Sequence, residues 1–215
     1  MSAADDLLAA VKAGDVAALE PLLAEDPDLA GAYENGVSAV RIALYHRQPA
    51  ALEALLAAQP PLDGLDHAAL GWADDLRADV ATDSGLVRRR SADGFTALHY
   101  ACFFGTPEAV AVLLDAGADP DARAESPAVR PLHSAAAVGN TEAIRLLLQA
   151  GADPNTRQDG GLTPLHTAAA LDDQESAALL LRYGADPALR DDAGADALAL
   201  ARSRDATAVL ALLGA

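Results

Sequence analysis

Thr163-Pro164-Leu165-His166-Thr167-Ala168-Ala169 is the stretch that decides the fold, because the chain writes it three times. Arg130-Pro131-Leu132-His133-Ser134-Ala135-Ala136 and Thr96-Ala97-Leu98-His99-Tyr100-Ala101-Cys102 are the other copies, and the histidines stand 34 and 33 residues apart. A second anchor follows each copy. Gly117-Ala118-Asp119-Pro120, Gly151-Ala152-Asp153-Pro154 and Gly184-Ala185-Asp186-Pro187 keep the same 34 and 33 spacing. Two motifs sharing one period mark a repeat architecture, in which each unit is one supersecondary element.

Local physics predicts what one unit is. Thr163 is a helix N-cap, and Pro164 suits the first helical position, where its missing N–H costs nothing. Leu165, Ala168 and Ala169 then share one helical face. That short helix ends near a glycine such as Gly105 or Gly139. A second helix follows, with Val110, Leu113 and Leu114, or Ile144, Leu147 and Leu148, at i, i+3, i+4. Gly117, Gly151 and Gly184 suit the left-handed position just past a helix end. The following Asp-Pro step favours an extended turn. The expected unit is helix, turn, helix and a projecting loop.

This pattern resembles the ankyrin repeat, whose mark is Thr-Pro-Leu-His followed by a Gly-Ala-Asp loop. The resemblance is most specific over residues 93–194. It implies an all-α solenoid of L-shaped units with short β-turn fingers. Weaker units flank the clear ones. Asp196-Ala197-Leu198 leads into Ala206–Leu213, and Leu7-Leu8 leads into Val16, Leu19, Leu22 and Leu23. Ser38-Ala39-Val40 begins another unit, closed by Leu52, Leu55 and Leu56. Pro60-Pro61-Leu62-Asp63-Gly64 replaces the next finger, which is shorter by about 9 residues, and Gly64 aligns with the position 34 before Leu98. About seven units are expected in a single domain over residues 1–215, one continuous solenoid kinked near residues 60–64, where a domain boundary is the alternative. They are an N-terminal capping repeat at 1–33, repeats at 34–62, 63–92 (degenerate), 93–127, 128–160 and 161–193, and a C-terminal capping repeat at 194–215. No unit buries its apolar face alone, so the core must form between neighbours.

Composition excludes several classes. The net charge is −17, from 32 acidic against 15 basic residues. Free nucleic acid and anionic membranes are therefore unexpected partners, because phosphate binding needs a basic face. A protein with a basic surface is favoured electrostatically. Cys102 is a lone cysteine, which fits a reducing compartment. The beginning of the chain has no basic region ahead of an apolar run, and no apolar run approaches the ~20 residues of a membrane helix. A cytoplasmic monomer is the expectation.

Candidate chemistry is sparse. The motif histidines lie one repeat apart, ~10 Å, too far to share a metal. The resemblance assigns them to bonds between a helix start and the neighbouring loop. Cys102 reads as a buried small hydrophobe. Asp172-Asp173 reads as helix capping; together with His166 it is also the group that a metal-dependent enzyme would use. Arg88-Arg89-Arg90 is the one basic run, on the rising arm of a finger. Phosphate-binding glycine loops, zinc spacings and a nucleophile elbow are absent from the sequence. No enzyme and no cofactor are expected.

The resemblance implies that a partner protein lies on the concave face, against the finger tips and the exposed side of each first helix. That side falls four and five residues after the motif histidine, at Phe103/Phe104, Ala137/Val138 and Ala170/Leu171. The same offset selects Tyr45/His46 and Ala69/Leu70 in the earlier units. The chain's three phenylalanines, Phe95, Phe103 and Phe104, all fall in one repeat. Such a cluster has the composition of a binding hot spot; packing against the degenerate third repeat would account for it equally. Tyr100 is expected in the core. The reading is a protein-interaction module, with a regulatory subunit that blocks a partner's active site as the alternative on the same groove.

Overall fold

The computed structural model describes residues 2–125 and 128–214. The expected unit edges at residues 1, 127 and 215 lie outside the described residues. The described chain forms α1 (Ala3–Ala13) and α2 (Val16–Glu25), α3 (Ala39–Tyr45) and α4 (Pro49–Ala57), α5 (Gly64–Leu70) and α6 (Ala73–Thr82), and α7 (Ala97–Phe103) and α8 (Pro107–Asp115). It continues with α9 (Pro131–Ala137) and α10 (Thr141–Gln149), α11 (Pro164–Ala170) and α12 (Gln174–Arg182), and α13 (Ala197–Ser203) and α14 (Thr207–Leu212). The two helices of each of these pairs pack on one another. Odd-numbered helices stack in one layer and even-numbered helices in a second. A two-residue antiparallel hairpin, β1 (Tyr33–Glu34) with β2 (Val37–Ser38), stiffens the first finger.

Helix starts follow the capping expected from the sequence. The Asn140, Asp173 and Asp196 side chains accept from the backbone N–H three residues on, at 3.1, 3.0 and 2.9 Å. Pro107, Pro131 and Pro164 occupy first helical positions. Gly117, Gly151 and Gly184 have φ of 85°, 94° and 92°, a region that a Cβ disfavours.

Alanine sets the helix spacing. Ala97, Ala101, Ala135, Ala136, Ala168 and Ala169 are buried at the contacts between odd-numbered helices, where a methyl group permits close approach. Leu98, Leu132 and Leu165 fill the gaps between them, at most 1% exposed. Truncating such a leucine to alanine costs about 2–5 kcal/mol.

The stack is interrupted between α4 and α5. Six residues, 58–63, connect these helices, against 15 between α8 and α9 and 14 between α10 and α11. With that finger missing, the first finger meets the one preceding α7: a Cβ on Gly36 would come within 2.7 Å of the Ala92 Cβ. The buried apolar residues divide at the same place. One cluster runs from Leu7 to Leu55 and another from Leu65 to Val209. The structure also corrects the register of the degenerate unit. Asp63 caps α5 as Thr96 begins α7, so Leu65 is the counterpart of Leu98, 33 residues earlier, rather than Gly64 34 earlier. The outward pair is therefore Leu70/Gly71, and Ala69, expected to be exposed, is fully buried.

Candidate interaction surface

The odd-numbered helices end on one face, and the fingers overhang it. An open hollow of about 180 Å³ lies there, between α7 and α9, the fourth and fifth helices of the first-helix row. Phe95, Phe103, Phe104 and Tyr45 form its aromatic walls, Ala137 and Val129 its far side, and His99 and His133 part of its floor. Phe104 meets Tyr45 edge-on at 5.2 Å between centroids and Phe103 at 4.6 Å, while Phe95 lies 6.1 Å from Tyr100. These edge-to-face arrangements align ring quadrupoles favourably. All three phenylalanines are half-buried. Phe95 and Phe104 also rest against the core, so packing and groove-lining coexist in the same side chains.

Tyr45 reaches the hollow from the other side of the interrupted stack. Its hydroxyl donates to Asp93 at 2.6 Å, and the Tyr100 hydroxyl donates to the same carboxylate at 2.7 Å. Burial pushes both phenol pKa values up. Burial alone would raise that of Asp93 too, but the hydroxyls of Ser91, Tyr45 and Tyr100 outweigh it and hold the carboxyl below its usual range. Tyr45 is therefore a fixed wall despite being 41% exposed.

Of the residues expected on this face, Tyr45, Phe95, Phe103, Phe104 and Ala137 come together in the hollow. Val138 and Leu171 lie outside it on the same row of helix ends, 41% and 55% exposed, and Ala170 is half-buried beside Leu171. His46 is exposed at the end of α3, outside the hollow. Leu70 is half-buried and packs against the Leu7–Leu55 cluster. Val129 and Gln158 were missed, although Val129 stands 34 residues after Phe95 and so occupies the same finger position. Tyr100 is core, 2% exposed.

The motif histidines hold the face in register. Nδ1 of His99 accepts from the Thr96 N–H at 3.2 Å, and its Nε2 donates to the Val129 carbonyl of the next finger at 3.2 Å. His166 repeats this with Thr163 and Ala195, both at 3.1 Å. His133 Nε2 donates to the Thr156 and Leu162 carbonyls at 3.1 and 3.2 Å. Arg130 replaces the threonine there, and both His133 Nδ1 and Arg130 Nε are buried without a partner. Burial lowers the pKa of His99 and of His133 to about 4. Neutral imidazoles suit these bonds, since each ring then has one donor and one acceptor nitrogen.

The remaining candidates are engaged in packing and capping. Asp173 caps α12, and Asp172 Oδ1 accepts from Val209 N at 3.0 Å, so it caps α14 of the following pair. Among the described residues, no three His, Cys, Asp or Glu side chains converge on a metal-sized site. Cys102 is fully buried, and burial raises its thiol pKa. Arg89 pairs with Asp83, while Arg90 Nη1 donates to the Gly94 and Arg123 carbonyls at 3.0 and 2.7 Å, tying two fingers together. No described helix is long and apolar enough to cross a membrane.

No curated protein matches the chain. A family model of ankyrin repeats, in three copies, matches residues 7–124 and 126–215. That match spans most of the sequence and coincides with the paired helices, capped fingers and histidine bonds described above, so the chain belongs to the ankyrin-repeat family.

Proposed function

We propose that this protein is an interaction module whose helix-end and finger face binds a partner protein, with the aromatic hollow as its anchor point. Ankyrin repeats are generally protein-interaction modules. The observation that carries the reading is the concentration of aromatic side chains around one open hollow, continued outward by exposed Val138 and Leu171. Exposed apolar surface rimmed by polar groups marks interaction sites, and large rigid aromatics dominate binding energetics. The net charge of −17 favours a partner with a basic surface and disfavours nucleic acid. The fourteen helices of the described residues are read as seven units of one stack that acts as a cytoplasmic monomer without a cofactor.

The test is affinity capture from a native extract with the wild-type chain and with Val138→Glu combined with Leu171→Glu. Both side chains project into solvent, so the fold is retained, as circular dichroism will check. A partner held by the wild type should be lost from the double variant and kept by Gln149→Glu on α10. A partner retained equally by all three proteins refutes this face as the binding surface.

A further inference from the structure

We infer that the chain parts first along the seam between α4 and α5, so that α1–α4 open as one unit while the stack from α7 onward stays folded. Elsewhere in the stack, successive units are joined by continuous apolar packing. At the seam the fully buried part of the joint is polar. In the second and third units Arg41 and Asp66 stand where the later units carry motif histidines. Arg41 Nε donates to Asp66 Oδ1 at 2.9 Å, and the Ser38 hydroxyl donates to the same oxygen. Arg41 is 1% exposed and Asp66 fully buried. Arg41 Nη1 has no partner, and Nη2 lies 3.6 Å from Asp63. The guanidinium stacks 5.5 Å from the Tyr100 ring.

Opening this joint returns two ions to water, where they are better solvated, so the charge pair holds the halves together weakly for the volume it fills. Apolar contact across the joint is confined to partly exposed side chains, with Leu44 against the C-terminal cluster, Leu70 against the N-terminal one and Tyr45 edge-on to Phe104. The two buried clusters do not merge across the seam. α3 meets α5 far more sparingly than α5 meets α7, and in the row of second helices α4 meets α6 more sparingly than any other consecutive pair meets. The connection, residues 58–63, contains Pro60 and Pro61 and no finger hairpin. Like charge adds to this. Residues 1–57 carry nine acids against three bases, and the remainder 23 against 12, so both sides are net negative. Opening also withdraws Tyr45, the wall of the hollow supplied from the N-terminal side, so the complete hollow exists only in the closed form. That consequence for binding rests on the proposed function; the opening itself does not.

The experiment is amide hydrogen exchange on the full chain, read by mass spectrometry. Amides of α1–α4 should exchange at one common rate, at least about tenfold faster than those of α7–α12. Raising KCl from about 0.01 M to about 0.5 M should narrow the gap by screening the repulsion. Arg41→Met combined with Asp66→Leu, which replaces the ion pair by apolar packing, should narrow it further. The opposite end supplies the control, because α13–α14 are also terminal but have no charged seam. Exchange of α1–α4 as slow as that of α7–α12 overturns the inference. So does graded exchange that falls off helix by helix, or exchange of α13–α14 at the rate of α1–α4, since either would make end position the cause. A gap unchanged in the paired variant would remove the ion pair as its origin and overturn it as well.

Discussion

Arg130→Thr should stabilise this protein, and the gain can be worked out from the neighbouring repeats. In α7 and α11 the residue before the helix is a threonine whose hydroxyl lies 2.8 and 2.7 Å from the histidine Nδ1. In α9 that residue is Arg130, and two buried nitrogens, Arg130 Nε and His133 Nδ1, are left without partners. Each such orphan costs about 1–3 kcal/mol, and a missing N-cap side chain about 1 kcal/mol. Against this, the substitution deletes the 3.0 Å bond from Arg130 Nη1 to the Asp121 carbonyl, a loss of about 1 kcal/mol. The balance is a gain of about 2 kcal/mol, or about 4–8 °C in Tm for a chain of this size. Thermal and urea unfolding of the two proteins measure it directly. Arg130→Ala is the informative control, since it removes the orphan nitrogen but offers no hydroxyl to the imidazole. It should gain less than the threonine variant by about 2 kcal/mol, the imidazole partner and the cap together. A threonine variant that melts at or below the wild-type temperature would refute the reasoning.

Three further predictions follow from groups already described. Because the folded pKa of His99 and of His133 is about 4, below the ~6.5 of an unfolded histidine, the unfolded chain binds more protons between these values. Stability should therefore be full above pH 6.5 and fall as the pH drops toward 4, by about 2 kcal/mol per histidine at pH 5; equal urea midpoints at pH 7.5 and pH 5 would contradict this. Asp172→Ala removes the cap on Val209 N, and should lower stability by about 1 kcal/mol, with faster amide exchange in α14 and no dependence on added metal; a divalent-cation shift in Tm that disappears in the variant would instead point to a metal site. Cys102, fully buried and held as the thiol, should resist a thiol reagent in the native protein and react at the rate of unfolding in urea; rapid stoichiometric labelling without denaturant would show that its surroundings are more open than described.

The sequence by itself determined the repeat. Two motifs at one period fix where helices start and stop, because capping threonines, first-turn prolines and left-handed glycines act within a few residues of themselves. The placement of α9 to α12 and the burial of Leu165 were legible for that reason, while the finger bonds of His99 and His166 were expected from the resemblance to the ankyrin repeat. The outward positions five residues past the histidines, Val138 and Leu171, were legible too, through the repeat offset that the resemblance implies.

What the tertiary structure decided lies between units, where local spacing carries no information. Gly64 and Ala69 were misplaced by one residue because the shortened connection breaks the period, and only the cap at Asp63 restores the count. That Arg41 and Asp66 meet across 25 residues, and that they mark a polar seam, depends on two odd helices being brought face to face. The same holds for Phe95, Phe103 and Phe104. Their clustering in sequence was visible, but whether they faced core or groove depended on Tyr45, Val129 and Ala137 arriving from other elements to enclose an open hollow. Side chains choose a face through local geometry; which neighbours complete that face is settled by stacking, and in a solenoid stacking is where the core and the binding surface are both made.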